Sequence, residues 1–391
     1  MLRLVVLSVT FGLIGCSHVE RPPAGTRTTP GAPVATDAGG ATAPPPAPEK
    51  SPFAAAALFG PKVGTRLYAS GKRLVVFQAQ PTEPYPWTLI SPRAGGGWNE
   101  LTGPMKKYIA DNKAELLEVA GVGVDETWIG TSYVDPHAPA QAFVMRTWHG
   151  KGGPLQPVAG PVYRFIGELR KGQSVGLPYG GPPGPMFDDP AEPLRNVAGK
   201  GPLPTLPRRL SLTHAAFSGT GGACALGGQH TKEGFGQVLW TLGPQGQKTH
   251  PLDFDYPKQE AALFYTGGEC LIVAHDDEDG TAFLRVRGGE LRSVHIAYKY
   301  AVASVAEGGG IWLSDGAGVV RVSLGDTEAK AEPVPLPRIA ACTKPLEVAG
   351  LVAFRDDDVW IDASCPQSPE PWHGLLHTQA APQRLETLPD P

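Results

Sequence analysis

The chain has 391 residues, of which 41% are hydrophobic, so it can bury one large core or two ordinary ones. Its 34 basic and 38 acidic residues give a formal net charge of −4, and the sequence contains no Lys/Arg-rich run. This balance excludes the electrostatic attraction that drives nucleic-acid binding, so we expect no nucleic-acid partner.

The first residues have the organisation of an export signal. A basic start at Arg3 precedes an apolar run, residues 4–14, that is too short to span a bilayer as a helix. The ending Leu13-Ile14-Gly15-Cys16 resembles the bacterial lipobox. The resemblance implies that residues 1–15 are a lipoprotein signal peptide. The alternative is an ordinary secretory signal that contains a cysteine.

The same resemblance implies that the chain is cleaved before Cys16 and that this cysteine carries diacylglycerol and a further acyl chain such as palmitate. Several acyl chains together anchor a protein stably in a membrane. Ser17 rather than Asp follows the cysteine, which among similar lipoproteins favours the outer membrane. We therefore expect a lipid-anchored protein of the cell envelope, with the membrane as one partner.

A tether is predicted for residues 16–52. After Cys16 this stretch is rich in Pro, Ala, Gly and Thr and contains almost no large apolar residues. Such a segment cannot bury enough surface to offset the entropy of ordering it. The folded part of the chain should therefore be residues 53–391.

A β-hairpin pattern recurs in the folded part. In its clearest copy a Gly turn precedes an apolar strand with Trp312, Asp315-Gly316 reverses the chain, and a second apolar strand follows. Two further copies surround Trp128 and Trp360, and fainter copies appear when these are aligned. The alignment defines one repeat position per copy: Val75, Trp128, Val175, Ala225, Leu271, Trp312 and Trp360.

The spacing of the repeat positions is typical of a β-propeller, because each interval of about forty to fifty residues holds four short strands. We predict an all-β fold with seven four-stranded blades. A six-bladed ring with a long insertion and an open sandwich are the alternatives. Large side chains at the repeat position should pack between blades rather than contact a ligand.

Two stretches depart from the repeat. Residues 105–117 place Met105, Tyr108, Ile109 and Leu116 at helical spacing, which predicts a short surface helix between the first two blades. Residues 177–209 are rich in proline, which cannot donate to a strand ladder, so this blade should have shortened strands and a long excursion. That excursion is either a binding loop or an insertion without a role.

Four cysteines remain after Cys16 in an oxidising compartment. Cys342 precedes the first strand of the last blade and Cys365 ends its second strand, so we predict a disulfide between them. Cys224 and Cys270 occupy the same register in adjacent blades. Because packed sheets lie about 10 Å apart, we expect two buried thiols there, with a disulfide near the propeller axis as the alternative.

The remaining polar clusters do not predict a metal site, a cofactor or a catalytic residue. His373 and His377 would converge on a helix, but on the strand expected here they lie about 13 Å apart. The acidic runs 275–280 and 356–358 lack the ligand spacing of calcium loops and read as solvated turns. No nucleophile elbow, phosphate-binding loop or paired carboxylate set is present.

Residues 127–131 and 310–321 resemble the bacterial propeller repeats that read Gly-Val-Trp-Ile-Gly-Thr followed by Gly-Leu-x-Arg. The resemblance implies a sensor or surface ectodomain that binds a ligand or partner without catalysis. The leading hypothesis is thus a binding or scaffold module for a protein or glycan partner. The alternative is a propeller hydrolase or lyase that acts on an envelope or extracellular polymer.

A last expectation concerns how the ring closes. The first and last blades each contain enough strand patterns to be complete, the fourth strand of the last blade being residues 383–388. Strand exchange between the chain ends is then unnecessary. We expect side-chain packing alone to hold the terminal seam, with residues 53–59 covering the ring from outside.

Overall fold

The computed structural model describes residues 50–388 except 61, 71, 81–85, 94–95, 123–125, 136, 138–142, 179–193, 208–209, 232–233, 245, 253–260, 277–279, 288 and 379–385. The chain divides into two units, residues 1–47 and 48–391, and only the second contains described residues. The predicted signal peptide, Cys16 and the tether up to residue 49 lie outside them. No helix within the described ranges is long and apolar enough to cross a membrane.

Seven sheets form a closed ring, and their strands pair antiparallel apart from one two-residue parallel pair in the last blade. The first strand of each blade contacts the first strand of the next, and that of the last blade contacts that of the first. These strands therefore surround the central axis, as in a β-propeller. The predicted seven-bladed propeller is confirmed, and the six-bladed and sandwich alternatives are wrong.

The chain begins with a strand that joins the last blade, and blades 1 to 3 follow. The elements are β1 (Ala54–Phe59); in blade 1, β2 (Gly64–Ser70), β3 (Arg73–Ala79), β4 (Trp87–Pro92) and β5 (Trp98–Glu100); then helix α1 (Met105–Asn112); in blade 2, β6 (Glu115–Val122), β7 (Glu126–Val134), β8 (Phe143–Lys151) and β9 (Gln156–Val158); and in blade 3, β10 (Tyr163–Arg170), β11 (Gln173–Pro178) and β12 (Arg195–Ala198).

Blades 4 to 7 complete the ring. They contain β13 (Leu210–Phe217), β14 (Ala223–Thr231), β15 (Gly234–Gly243) and β16 (Gly246–Leu252); β17 (Ala261–Thr266), β18 (Glu269–Asp276), β19 (Gly280–Arg287) and β20 (Glu290–Ile296); β21 (Val302–Val305), β22 (Ile311–Ser314), β23 (Val319–Leu324) and β24 (Ala329–Val334); and β25 (Glu347–Arg355), β26 (Asp358–Cys365), β27 (Trp372–His377) and β28 (Glu386–Thr387).

The expectation about ring closure is wrong. Strand β1 pairs antiparallel with β27, from Ala54 opposite His377 to Phe59 opposite His373, and so completes the last blade. The described part of the predicted fourth strand is only the two-residue β28, which pairs outside β1. The lack of a side chain at Gly374 of β27 allows this close fit, since a Cβ there would lie 2.2 Å from the Ala57 carbonyl oxygen. Backbone hydrogen bonds, not packing alone, therefore close the ring.

The helix and the repeat position follow the sequence pattern. Helix α1 lies within the predicted 105–117 and buries Met105 and Ile109, but it ends at Asn112 because Lys113 has a left-handed φ of 50° and Glu115 starts a strand. The side chains at the repeat position are all at least nine-tenths buried, as predicted for packing between blades.

Both cysteine pairs are disulfides. Cys342–Cys365 confirms the prediction. Cys224–Cys270 corrects the expectation of two thiols, since the Cα atoms of the two residues are 5.9 Å apart. The turn before β14 and the turn before β18 lie close together because Gly222 has no side chain. A Cβ there would lie 2.1 Å from Tyr265 Oη. The spacing of about 10 Å for packed sheets does not hold where neighbouring blades approach this closely.

The proline-rich stretch 177–209 lies in blade 3. Strand β11 ends at the start of this stretch, and the only further strand described within it is the four-residue β12. Both observations agree with the predicted shortening. Most of the excursion, residues 179–193, lies outside the described residues. Its two interpretations, binding loop and insertion, remain predictions.

Candidate functional site

One side of the ring carries the turns between the first and second strands of each blade, and we call it the turn face. Its turns at 266–269, 306–311 and 355–358 belong to blades 5, 6 and 7. Thr266 Oγ1 donates to the carbonyl oxygens of Ala306 at 2.8 Å and Glu307 at 3.0 Å, and the Glu307 N–H donates to Phe354 O at 2.9 Å. These contacts join three blades in a fixed arrangement.

A pocket of about 330 Å³ opens on the turn face between blades 5 and 6, and we call it the arginine pocket. Blade 5 contributes Glu269, Leu271 and Arg285 to its lining, blade 6 contributes the 308–310 turn and Arg321, and blade 7 contributes Asp356. The volume falls within the usual range for small-molecule sites.

Small residues in two neighbouring blades leave room for the pocket. Leu271 occupies the repeat position of blade 5, where blades 2, 6 and 7 have tryptophan. The neighbouring turn, residues 308–310, consists of three glycines, and Gly309 has a φ of 99° that only glycine adopts readily. A side chain at Gly310 would lie 1.9 Å from Asp356 Oδ1. Glycine there lets the carboxylate of the next blade approach the pocket wall.

Arg285 is the most unusual residue of the pocket, since it carries a charge and is only 8% exposed. Its Nη2 donates to Gly325 O at 2.6 Å and to Asp326 Oδ1 at 3.0 Å, so the turn after β23 holds the guanidinium in place. Its Nε is buried and has no hydrogen-bond partner among the described residues. Leaving a buried donor unpaired costs about 1–3 kcal/mol.

The other charges of the pocket are paired. Arg321 Nη2 lies 2.9 Å from Asp356 Oδ2, and its guanidinium lies 5.9 Å from the ring centre of Trp312. Glu269 Oε1 lies 3.2 Å from Nε of Arg287, just outside the pocket. These ion pairs fix the orientation of the Arg321 guanidinium and of the Asp356 and Glu269 carboxylates. The pocket therefore presents hydrogen-bond donors and acceptors whose positions are already set.

The repeat pattern of the second strands does not reveal this site. In blades 2 to 7 the third-strand residue paired with the repeat position is His149, Asn196, Trp240, Arg285, Arg321 and His377 in turn. Arginine therefore occurs at this position in two adjacent blades. Aligning third strands as well as second strands would have revealed that signal.

The histidines and acidic runs considered from the sequence have structural partners. His377 Nε2 lies 2.8 Å from Asp358 Oδ1, and the histidine ring stacks on Trp360 at a centroid distance of 3.8 Å. Asp356–Asp358 includes the predicted turn between β25 and β26, and Asp356 contacts Arg321. Of the run 275–280, residues 277–279 lie outside the described residues. The described ranges hold no group of three or more His, Cys, Asp or Glu that could bind a metal.

A Thr, a His and an Asp meet at the seam between blades 1 and 7. The Thr65 hydroxyl donates to the buried Asp362 carboxylate, and Asp362 Oδ1 lies 2.8 Å from His373 Nε2. Thr65 Oγ1 is 3.0 Å from that same nitrogen. A catalytic relay places the hydroxyl and the carboxylate on different ring nitrogens. This cluster therefore links blades 1 and 7 and does not activate the Thr65 hydroxyl.

Glu118 is the described carboxyl whose titration departs most from normal. It follows an irregular step in the β6–β7 register, and burial raises its pKa to about 7, although the Val119 N–H donates to it at 3.2 Å. The adjacent cavity, about 10 Å³ and lined by Trp128 and Tyr163, is no larger than a water site. Glu118 is thus a source of pH-dependent stability rather than a ligand group.

We expect Glu118→Gln to stabilise the protein above pH 7 and to change little near pH 4. The folded carboxyl binds its proton more tightly than the unfolded one, whose pKa is near 4.5, so stability falls as pH rises through this interval. The rise to about 7 corresponds to on the order of 3 kcal/mol. Denaturant unfolding at pH 4, 6 and 8 measures the effect, with exposed Glu115→Gln as control. An equal gain at pH 4 and pH 8 would contradict it.

A second, larger cavity of about 700 Å³ lies at the other end of the strands, between the turn after β22 and residues 334–346. Val334, Leu336, Ile339 and Leu346 give it an apolar lining, with Arg338 among the polar contributors. No buried side-chain atom without a partner belongs to this lining. The arginine pocket is therefore the stronger candidate for a specific ligand.

No family model and no curated protein matches the chain. Among solved structures, it is similar to a puromycin-hydrolyzing peptidase of Mycobacterium tuberculosis, with a TM-score of 0.43 and 14% identity over 87% of the chain. The chain spans 56% of that peptidase's length. The β-propeller domain of the Pyrococcus furiosus trilobed protease gives a TM-score of 0.44 and 9% identity, covering 81% of this chain and 94% of that one. The Aleuria aurantia lectin gives 0.37 and 9%, covering 82% and 96%.

Proposed function

We propose that this chain is a lipid-anchored β-propeller of the bacterial cell envelope that binds a partner in the arginine pocket without catalysing a reaction. The observation that carries the proposal is that two adjacent blades each place an arginine in the pocket lining, Arg285 and Arg321, and the following blade holds each guanidinium by an ion pair. A preset donor of this kind in a concave site is typical of ligand recognition. Neither Glu118 nor the seam cluster offers the geometry of a catalytic site.

The envelope location is supported by two independent features. The segment ending at Gly15-Cys16 resembles a lipoprotein signal. The four cysteines of the propeller form two disulfides, which persist in oxidising compartments such as the bacterial periplasm. Ser17 favours the outer membrane. An N-terminal lipid with a tether would leave the propeller free to meet its partner.

We expect Cys16→Ser to release the protein from membranes or to leave it unprocessed, because serine has no thiol to accept diacylglycerol. Membrane fractionation of the producing bacterium and the mass of the mature N-terminus measure the result. Ser17→Ala serves as the control, since it changes the neighbouring residue and keeps the Cys16 thiol. Normal cleavage and unchanged membrane association of the Cys16 variant would refute the anchor.

The binding role is tested by blocking the pocket. Ser323 lines the arginine pocket and is exposed, so Ser323→Trp should fill it without disturbing the core. Lys151 in blade 2 is exposed at the equivalent third-strand position, two residues after His149, and Lys151→Trp is the matched control. The full-length lipoprotein in detergent is immobilised and exposed to solubilised envelope material of the same bacterium. We expect saturable binding that only Ser323→Trp abolishes; equal binding by both variants would contradict the proposal.

A further inference from the structure

We infer that the ligand of the arginine pocket is a neutral, hydroxyl-rich saccharide unit. This inference rests on the proposed binding function and adds the chemical class of the ligand. It follows from the charge of the pocket, from the mixture of polar and apolar groups in its lining, and from the pairing of the strands that form it.

The charges around the pocket cancel. Asp326 Oδ1 lies 3.0 Å from Arg285 Nη2 and 2.8 Å from Arg287 Nη1, while Arg287 also contacts Glu269 and Arg321 contacts Asp356. Three guanidinium groups thus meet three carboxylates. A ligand with a net charge of either sign gains little attraction and meets like charges. A neutral ligand avoids that repulsion.

The lining offers hydrogen bonds of both directions beside apolar surface. The guanidinium groups of Arg285 and Arg321 are donors, and the carboxylates of Glu269 and Asp356 are acceptors. Leu271, Ile311 and other aliphatic residues form the apolar part. A hydroxyl group both donates and accepts, and a sugar ring carries hydroxyls at its edge and C–H groups on its faces. A saccharide therefore complements all three kinds of surface.

The strand pairing disfavours an extended peptide. Peptides commonly bind by adding a strand to a free sheet edge. The strands that line the pocket with several residues are β18 and β19 in blade 5 and β22 and β23 in blade 6, and each has a hydrogen-bonded neighbour on both sides. The edge strand β17 contributes only its last residue, Thr266, whose hydroxyl is bonded to blade 6. The pocket therefore offers no length of free strand edge, and recognition depends on side chains and turn backbone. That arrangement suits a compact ligand.

The test uses the full-length lipoprotein in detergent on an array of neutral glycans and of matched glycans that carry a uronic acid, followed by titration calorimetry with the best neutral sugar. We expect saturable binding of a neutral sugar and at least tenfold weaker binding of its uronic acid. Arg285→Gln should weaken binding by about 10- to 100-fold, the usual effect of losing a charged hydrogen bond. Ser323→Trp should abolish it and Lys151→Trp should leave it unchanged.

Three results would overturn the inference: no neutral glycan binds, the uronic acid binds more tightly, or sugar binding survives Ser323→Trp. Because Arg285→Gln can also lower stability, each variant is first compared by thermal unfolding, and Ser323→Trp decides if Arg285→Gln does not fold. Failure here differs from failure of the proposed function. If Ser323→Trp blocks binding of envelope material but no saccharide binds, the binding role stands and the ligand belongs to another class.

Discussion

A chain that lacks residues 1–59 should be far less stable than one that lacks only residues 1–52. The longer deletion removes β1 and leaves β27 without its neighbour, whereas the shorter one keeps Phe53 and the whole strand. Phe53 and Phe59 are each 3% exposed, and burial of two phenylalanines alone contributes about 3–6 kcal/mol. That is a large part of the stability of a typical domain.

Denaturant unfolding of the two truncated proteins under oxidising conditions measures this difference. If the 1–59 deletion does not fold, Phe59→Ala in the full chain gives a milder version, with an expected loss of about 3–5 kcal/mol. Phe53→Ala gives the same measurement for the residue just before the strand. Equal unfolding midpoints for the two truncations would show that β1 does not close the ring.

Removing the Cys224–Cys270 disulfide should cost about 4 kcal/mol. The bond joins residues 46 apart in the sequence, and a loop of that length loses this much closure entropy in the unfolded chain. The Cys342–Cys365 bond spans 23 residues and should contribute about 3 kcal/mol. Double alanine variants of each pair, compared by denaturant unfolding with the oxidised parent, measure both values.

A thiol count checks the premise of this prediction. Denatured, non-reduced protein taken from an oxidising compartment should show no free thiol at the four propeller cysteines. Labelling at Cys224 and Cys270 would restore the view of two buried thiols. Labelling at Cys342 and Cys365 would remove the bond that stabilises the start of the last blade.

The sequence predicted best those features that depend on residues close together in the chain. The hairpins around Trp128, Trp312 and Trp360 each contain their own turn and strand signals, and their spacing was enough to predict the ring. Cys342 and Cys365 belong to one blade, so their pairing followed from the order of its strands. Helix α1 was placed by the spacing of Met105 and Ile109.

Features that depend on contacts between distant segments were missed. Strand β1 is largely alanine, which has no strong preference for strands, and its partner His373 is more than 300 residues away from Phe59. The Cys224–Cys270 bond depends on how closely Gly222 lets two turns approach. The arginine pocket depends on Leu271, a glycine turn and Asp356 in three different blades, so no local pattern describes it.

We propose that the arginine pocket is where this protein holds its partner. Site-specific photo-crosslinking in living cells of the source organism tests this proposal, with a photoreactive residue at Ser323 in the full-length protein and, as control, at Lys151. We predict a light-dependent adduct from position 323 that Arg285→Gln diminishes, and none from position 151. An adduct of equal yield from both positions, or none from 323, would contradict the claim.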